Sequence, residues 1–133
     1  MTLPTGTITF LFTDVEGSTR LWEEQPDTMR LALVRHDVLL RAAIETNGGT
    51  VFKTIGDAFC AAFATAPEAL EAAIMAQQSL RGVKAGVGSA LLLRVRMALH
   101  TGTAEQRGGD YFGQPLNRVA RLLFAGHGGQ VLL

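Results

Sequence analysis

The sequence predicts an α+β sandwich in which helices lie on one face of a mainly antiparallel sheet. Three observations predict it. Short apolar runs alternate with longer stretches whose apolar residues recur every three or four positions, in the order β-α-α-β-β-α-β, a loop, α and β. Two of the strand-like runs meet at Gly56-Asp57, a turn tight enough to make them antiparallel neighbours. Glycine-rich stops, Asn47-Gly48-Gly49 and Gly128-Gly129, separate helical from extended segments.

The elements follow in order. Residues 7–13 carry the apolar run Ile8 to Phe12 and read as a first, buried strand. A short helix is expected at 18–24, broken near Pro26, and a longer one at 27–46. In the longer helix Met29, Ala32, Leu33, His36, Leu40, Ala43 and Ile44 form an amphipathic stripe, which makes His36 a core or subunit-contact histidine. Residues 50–55 and 58–63 pair as the hairpin around Gly56-Asp57. Pro67 opens an Ala-rich helix to 81, with Leu70, Ala73, Ile74 and Leu80 inward. A link over 82–88 leads to a strand at 91–99. A loop with Gly108-Gly109, a helix at 114–125 and a strand at 130–133 complete the pattern.

The bulk properties narrow the function classes. At 133 residues the chain forms one domain, 1–133, with a single core. Its formal charge is zero, so no general attraction to nucleic acid or to an anionic membrane is expected. Cys60 stands alone, which excludes an intrachain disulfide and fits a reducing cytoplasm. The N-terminus lacks a signal-peptide pattern, and no apolar stretch approaches bilayer-spanning length. A soluble, cytoplasmic domain is the expectation.

Chemistry concentrates in Thr9-Phe-Leu-Phe-Thr-Asp14-Val-Glu-Gly-Ser-Thr19. The first strand delivers the Asp14 carboxylate at its end, and Gly17-Ser18-Thr19 opens a helix whose first N–H groups lack intrahelical partners. A hard cation on the carboxylate and a phosphate on the N–H groups suit that arrangement. Asp57 brings a second carboxylate to a neighbouring strand end, so the two could form a two-metal site for nucleotide chemistry. Taken alone, Asp14 reads as a helix cap and Asp57 as a turn residue. Asn117 and Arg121 lie four apart on the last helix and therefore share a face.

Four segments together resemble the catalytic domain of the class III nucleotidyl cyclases. They are Phe12-Thr13-Asp14-Val15-Glu16-Gly17-Ser18, Phe52-Lys53-Thr54-Ile55-Gly56-Asp57, Val95-Arg96-Met97-Ala98-Leu99-His100-Thr101-Gly102 and Gly109-Asp110-Tyr111-Phe112-Gly113 with Asn117 and Arg121. They stand in the family's order, and the opening from Gly6 to Trp22 is most similar to the bacterial branch. The resemblance implies a ferredoxin-like fold and an adenylate cyclase that converts ATP to 3′,5′-cyclic AMP and pyrophosphate.

By that resemblance Asp14, Asp57 and the Val15 carbonyl hold two Mg²⁺ or Mn²⁺ ions, and Gly17, Ser18 and Thr19 meet the phosphates. Lys53 approaches the purine N1 and Asp110 accepts from the N6 amino group. That donor and acceptor pattern suits adenine, since guanine reverses both groups. Asn117 orients the ribose, Arg121 stabilises charge on the α-phosphoryl group, and Arg96 reaches the terminal phosphates; outside the family, Arg96 reads as an outward residue of a half-exposed strand. The family's sites lie between two chains, so a complete set on one chain implies a symmetric homodimer with two sites.

Family members continue into a closing strand pair that usually adds a phosphate-contacting lysine. This chain stops at Leu133, and so is expected to lack that pair and to be either a fragment or a trimmed form; fusion to regulatory domains in a longer chain is left open. The rival readings are a non-catalytic cyclase-homology domain with a regulatory or partner-binding role, and a guanylate cyclase. A diguanylate cyclase lacks its Gly-Gly-Asp-Glu-Phe turn here, and no P-loop pattern is present.

Overall fold

Strand β1 (Thr7–Val15) is the centre of the molecule because it is apolar on both faces. Of the residues in the computed structural model, 3–82 and 93–133 are described. Helices α1 (Ser18–Glu24) and α2 (Pro26–Thr46) follow, then the hairpin β2 (Thr50–Ile55) and β3 (Ala58–Phe63), and helix α3 (Ala66–Gly82). Strand β4 (Val95–Thr103), the small hairpin β5 (Glu105–Arg107) and β6 (Asp110–Phe112), helix α4 (Gln114–Ala125) and strand β7 (Val131–Leu132) complete the order. The five-stranded sheet runs β2-β3-β1-β4-β7, which is the split β-α-β order of a ferredoxin-like sandwich with β7 added. All its pairings are antiparallel except β4 with β7.

The alternation of β1 builds two cores. Leu11 and Val15 face α2 and α3, packing with Met29, Leu40, Ile44, Phe63 and Met97. Ile8 and Phe10 face the other way, packing with Tyr111, Val119 and Leu123. Each large side chain so buried contributes about 1.5–3 kcal/mol. The expectation of helices on one face holds for α2 and α3; α4 lies across the opposite face. Its stripe of Pro115, Val119 and Leu123 needs an apolar partner, and the even-numbered positions of β1 supply it. Gly102 lets α4 come close, because a Cβ there would stand 2.5 Å from the Pro115 ring.

Several boundaries differ from expectation. Strand β1 runs on to Val15, held by its register with β4 from Thr7↔Thr103 to Val15↔Val95. The stretch around Gly108-Gly109 is a hairpin rather than a loop. Ile74 is exposed rather than inward, since Ala69, Ala73, Ala76 and Leu80 define the buried stripe and Ile74 lies about 100° round the helix from Ala73. The expected link over 82–88 lies, from residue 83 on, outside the described residues, as does the expected strand start at 91. His36 is 1% exposed in the core, its Nδ1–H donating to Asp37 at 2.8 Å.

Candidate active site

At the end of β1 the two acidic residues of the sequence motif come together. The Val15 N–H donates to Asp57 Oδ1 at 2.9 Å, tying the β2–β3 turn to the strand that carries Asp14. That single bond joins segments 42 residues apart in sequence. Asp14 stands directly opposite Arg96 in the β1–β4 register. Arg96 Nε donates to Asp14 Oδ1 at 2.7 Å, and Nη2 donates to Oδ2. The hydrogen bonds to Asp14 raise the Arg96 pKa further above its ordinary value, so the guanidinium stays charged. Its Cζ lies over the Phe124 ring, 5.3 Å from the centroid.

The donors suit a hard divalent ion in kind: two carboxylates on adjacent strand ends, linked through the backbone of Val15. Among the described residues no group of three or more His, Cys, Asp and Glu side chains gathers in metal-binding distance. A full coordination shell therefore calls on further oxygen ligands such as backbone carbonyls and phosphates. Gly17 caps α1 with φ 67, a left-handed conformation that glycine adopts without penalty. Ser18 and Thr19 open that helix, the first half-buried and the second exposed.

A second cluster forms around Lys53 and Asp110. The β2–β3 register slips between Val51 and Lys53, a bulge that re-aims the side chains. Val51 packs into the α2–α3 core, whereas Phe52 joins Phe10 and Tyr111 on the opposite face. Beyond the bulge Lys53 pairs with Cys60, and its Nζ reaches Asp110 Oδ2 at 2.8 Å. Asp110 Oδ1 accepts from the Tyr111 N–H at 2.7 Å, which fixes the carboxylate. Burial pushes the Asp110 carboxyl up, but the hydrogen bonds from Lys53 and Tyr111 outweigh it and hold the group below the ordinary carboxylate range. Cys60 beneath the pair is 4% exposed, and burial chiefly raises its thiol pKa to about 11.

Asn117 and Arg121 project from the exposed side of α4, away from the buried stripe of Val119 and Leu123. Among the described residues neither makes a hydrogen bond or ion pair. One chain thus presents three separate groups: Asp14, Asp57 and Arg96; Lys53 and Asp110; and Asn117 with Arg121.

Three features escaped the sequence reading. The Phe124 contact to Arg96 joins residues far apart in sequence, with no local periodicity to signal it. The bulge at Val51–Lys53 leaves no mark in composition. Gln77, inside an alanine stripe, donates to the Val95 and Gln130 carbonyls at 2.9 and 3.2 Å and ties β4 to the approach of β7. Its position four residues after Ala73 and three before Leu80, on the buried stripe, was the available signal.

The strand order is that of a ferredoxin-like α+β domain with two carboxylates at adjacent strand ends, and comparison with known proteins gives the family. Residues 2–133 match the adenylate and guanylate cyclase catalytic domain, and the chain belongs to that family. It is 40% identical over 132 residues to an uncharacterized protein of Mycobacterium tuberculosis, covering 98% of this chain and 43% of that protein. An adenylate cyclase of Lachancea kluyveri is 34% identical over 154 residues, covering 98% of this chain and 8% of that enzyme. The chain thus spans less than half the length of these curated relatives. Among solved structures, an adenylate cyclase from Trypanosoma brucei in its monomeric state superposes with a TM-score of 0.87 at 25% identity, covering 97% of this chain and 74% of that one. The family uses divalent metals and its domains typically dimerise. Among the described residues no helix is long and apolar enough to cross a membrane.

Proposed function

We propose that residues 1–133 are the catalytic domain of a cytoplasmic adenylate cyclase, acting as a symmetric homodimer and fused to regulatory domains in a longer chain. The observation that carries the choice of adenine is the Lys53–Asp110 pair, 2.8 Å apart. An ammonium donor beside a carboxylate acceptor matches the N1 and N6 edge of adenine. Guanine would meet a donor with its N1–H and an acceptor with its C6 carbonyl, leaving buried polar groups unpaired at roughly 1–3 kcal/mol each.

Asp14, Asp57 and the Val15 carbonyl would hold two Mg²⁺ or Mn²⁺ ions, which supply acidification of the ribose 3′-hydroxyl and charge neutralisation on the triphosphate. The protein's own residues do the positioning. The α1 N-terminus at Gly17, Ser18 and Thr19 receives phosphate oxygens with its N–H groups. Asn117 orients the ribose, and Arg121 places a permanent charge where the α-phosphoryl group gains negative charge. The 3′-oxygen then forms its bond to the α-phosphorus as the bond to pyrophosphate breaks, and the hydroxyl proton leaves to solvent. Arg96 binds the terminal phosphates.

The placement of Asn117 and Arg121 on an outward face, with no hydrogen bond or ion pair among the described residues, supports a site completed by a second copy. The test is turnover of ATP against GTP by purified protein with Mn²⁺, read by product chromatography. Cyclic AMP as the dominant product is expected. Dominant cyclic GMP would overturn the base assignment, and no nucleotide turnover by a verified dimer would overturn catalysis.

A further inference from the structure

Phe124 is 73% exposed, so its ring does not serve the core of α4. The helix buries Pro115, Val119 and Leu123 on the opposite side. The ring meets the Arg96 guanidinium, whose Cζ lies 5.3 Å from its centroid. The same guanidinium covers both oxygens of Asp14, the carboxylate opposite it in the sheet. An incoming divalent ion on Asp14 therefore meets a like charge and two occupied oxygens.

We propose that Phe124 is a positioning residue for Arg96. With Asp14 it parks the guanidinium at the metal seat, so that ion loading and the release of Arg96 toward the phosphates are one exchange. The inference rests on the assignment of Asp14 as a metal ligand made above. The guanidinium keeps Asp14 charge-balanced when no ion is bound, and the ring offers its π-face to the cation. On loading of a divalent ion, of twice the charge, the guanidinium would leave Asp14 and become free to bind phosphates. Phe124 thereby sets how readily the exchange occurs.

The test is a Mn²⁺ titration of the nucleotide-free protein, with free Mn²⁺ read by electron paramagnetic resonance. Removing the competitor in R96M should tighten Mn²⁺ binding about tenfold or more, as expected for a charge-assisted bidentate pair. F124A should tighten it about two- to fivefold, the equivalent of one exposed cation–π contact. F124W, which keeps a π-face, should behave as wild type. Each Phe124 variant alters an exposed side chain, so folding is retained and is checked by circular dichroism. The side-chain Nε–H resonance of Arg96 should shift when diamagnetic Mg²⁺ is added.

The D14N variant separates the two layers of the argument. Unchanged Mn²⁺ binding in D14N would overturn the metal assignment itself. If D14N loses the ion while R96M and F124A stay within about twofold of wild type, the assignment stands and the exchange is overturned. If wild-type binding is too weak to detect, R96M must bring it into range; failure to do so also overturns the exchange.

Discussion

The two ion pairs of the candidate site are built to different strengths. Lys53 and Asp110 meet through one contact at 2.8 Å, with side chains 39% and 26% exposed. Arg96 and Asp14 meet through two hydrogen bonds, with side chains 19% and 18% exposed, and the guanidinium also makes a cation–π contact with Phe124. An exposed pair is worth about 0.2–1 kcal/mol, so a purine edge can replace it at little cost. Hydrogen bonds to charged groups contribute about 1.5–3 kcal/mol each, so the Arg96–Asp14 pair yields only to a stronger ligand. Under the proposed assignment, the difference teaches that selectivity for the base rests on a cheap exchange, while the proposed metal end stays closed to weak competitors.

The largest effect should come from the carboxylates. Asp14→Ala and Asp57→Ala are each expected to reduce metal-dependent cyclase turnover below detection, with circular dichroism unchanged. Near wild-type turnover by either variant would remove the two-metal assignment and, with it, the functional contrast between the two ends.

Next comes specificity. Lys53→Glu combined with Asp110→Cys should weaken ATP use and admit GTP, by roughly 10- to 100-fold in the ratio of kcat/KM values. Glu accepts from the guanine N1–H, and the thiol no longer sets a carboxylate against the C6 carbonyl. A double variant that kept wild-type preference would show that the weaker pair does not read the base.

Stability separates the pairs more finely. R96M should lower unfolding stability by about 1–3 kcal/mol, because it leaves the Asp14 carboxylate partly buried and unpaired. K53M should change it by less than about 1 kcal/mol. The depressed pKa of Asp110 gives the sign of its pH dependence. Its contribution is complete above the unfolded value of about 3.9 and is lost as pH falls through the lower folded value. Urea titrations of wild type and K53M should therefore differ at neutral pH and converge in acid below that value. Equal losses for K53M and R96M would erase the comparison.

The smallest effect concerns Cys60. With its pKa raised to about 11, the thiol should resist iodoacetamide at pH 8 in the folded protein and react fully once denatured. Rapid labelling of the folded chain would mean that the floor beneath Lys53 is open.

Much of this was legible in the sequence where periodicity is strong. The α2 stripe buries Met29, His36, Leu40, Ala43 and Ile44, and the Gly56-Asp57 hairpin has its expected limits. Periodicity says which side of a helix is apolar, but not which sheet face receives it, so α4 was placed with the other helices. The β5–β6 hairpin was missed because Glu105-Gln106-Arg107 is wholly polar and carries no alternation. Asp14, Asp57, Lys53 and Asp110 were singled out through motif order. That Lys53 touches Asp110, and that Arg96 covers Asp14, depended on a bulge and a cross-strand register that no local pattern encodes.

The central claim is that the separate groups on one chain become a complete site only when two copies meet. The direct measurement mixes Asp57→Ala protein with Arg121→Ala protein under conditions of subunit exchange, with pairing followed in the same sample. Random pairing makes about half the dimers mixed, and each mixed dimer holds one doubly damaged site and one intact site, so about a quarter of all sites recover. Cyclic AMP production should rise from near zero toward that fraction. If exchange is demonstrated and activity stays at zero, the site is not shared between two chains.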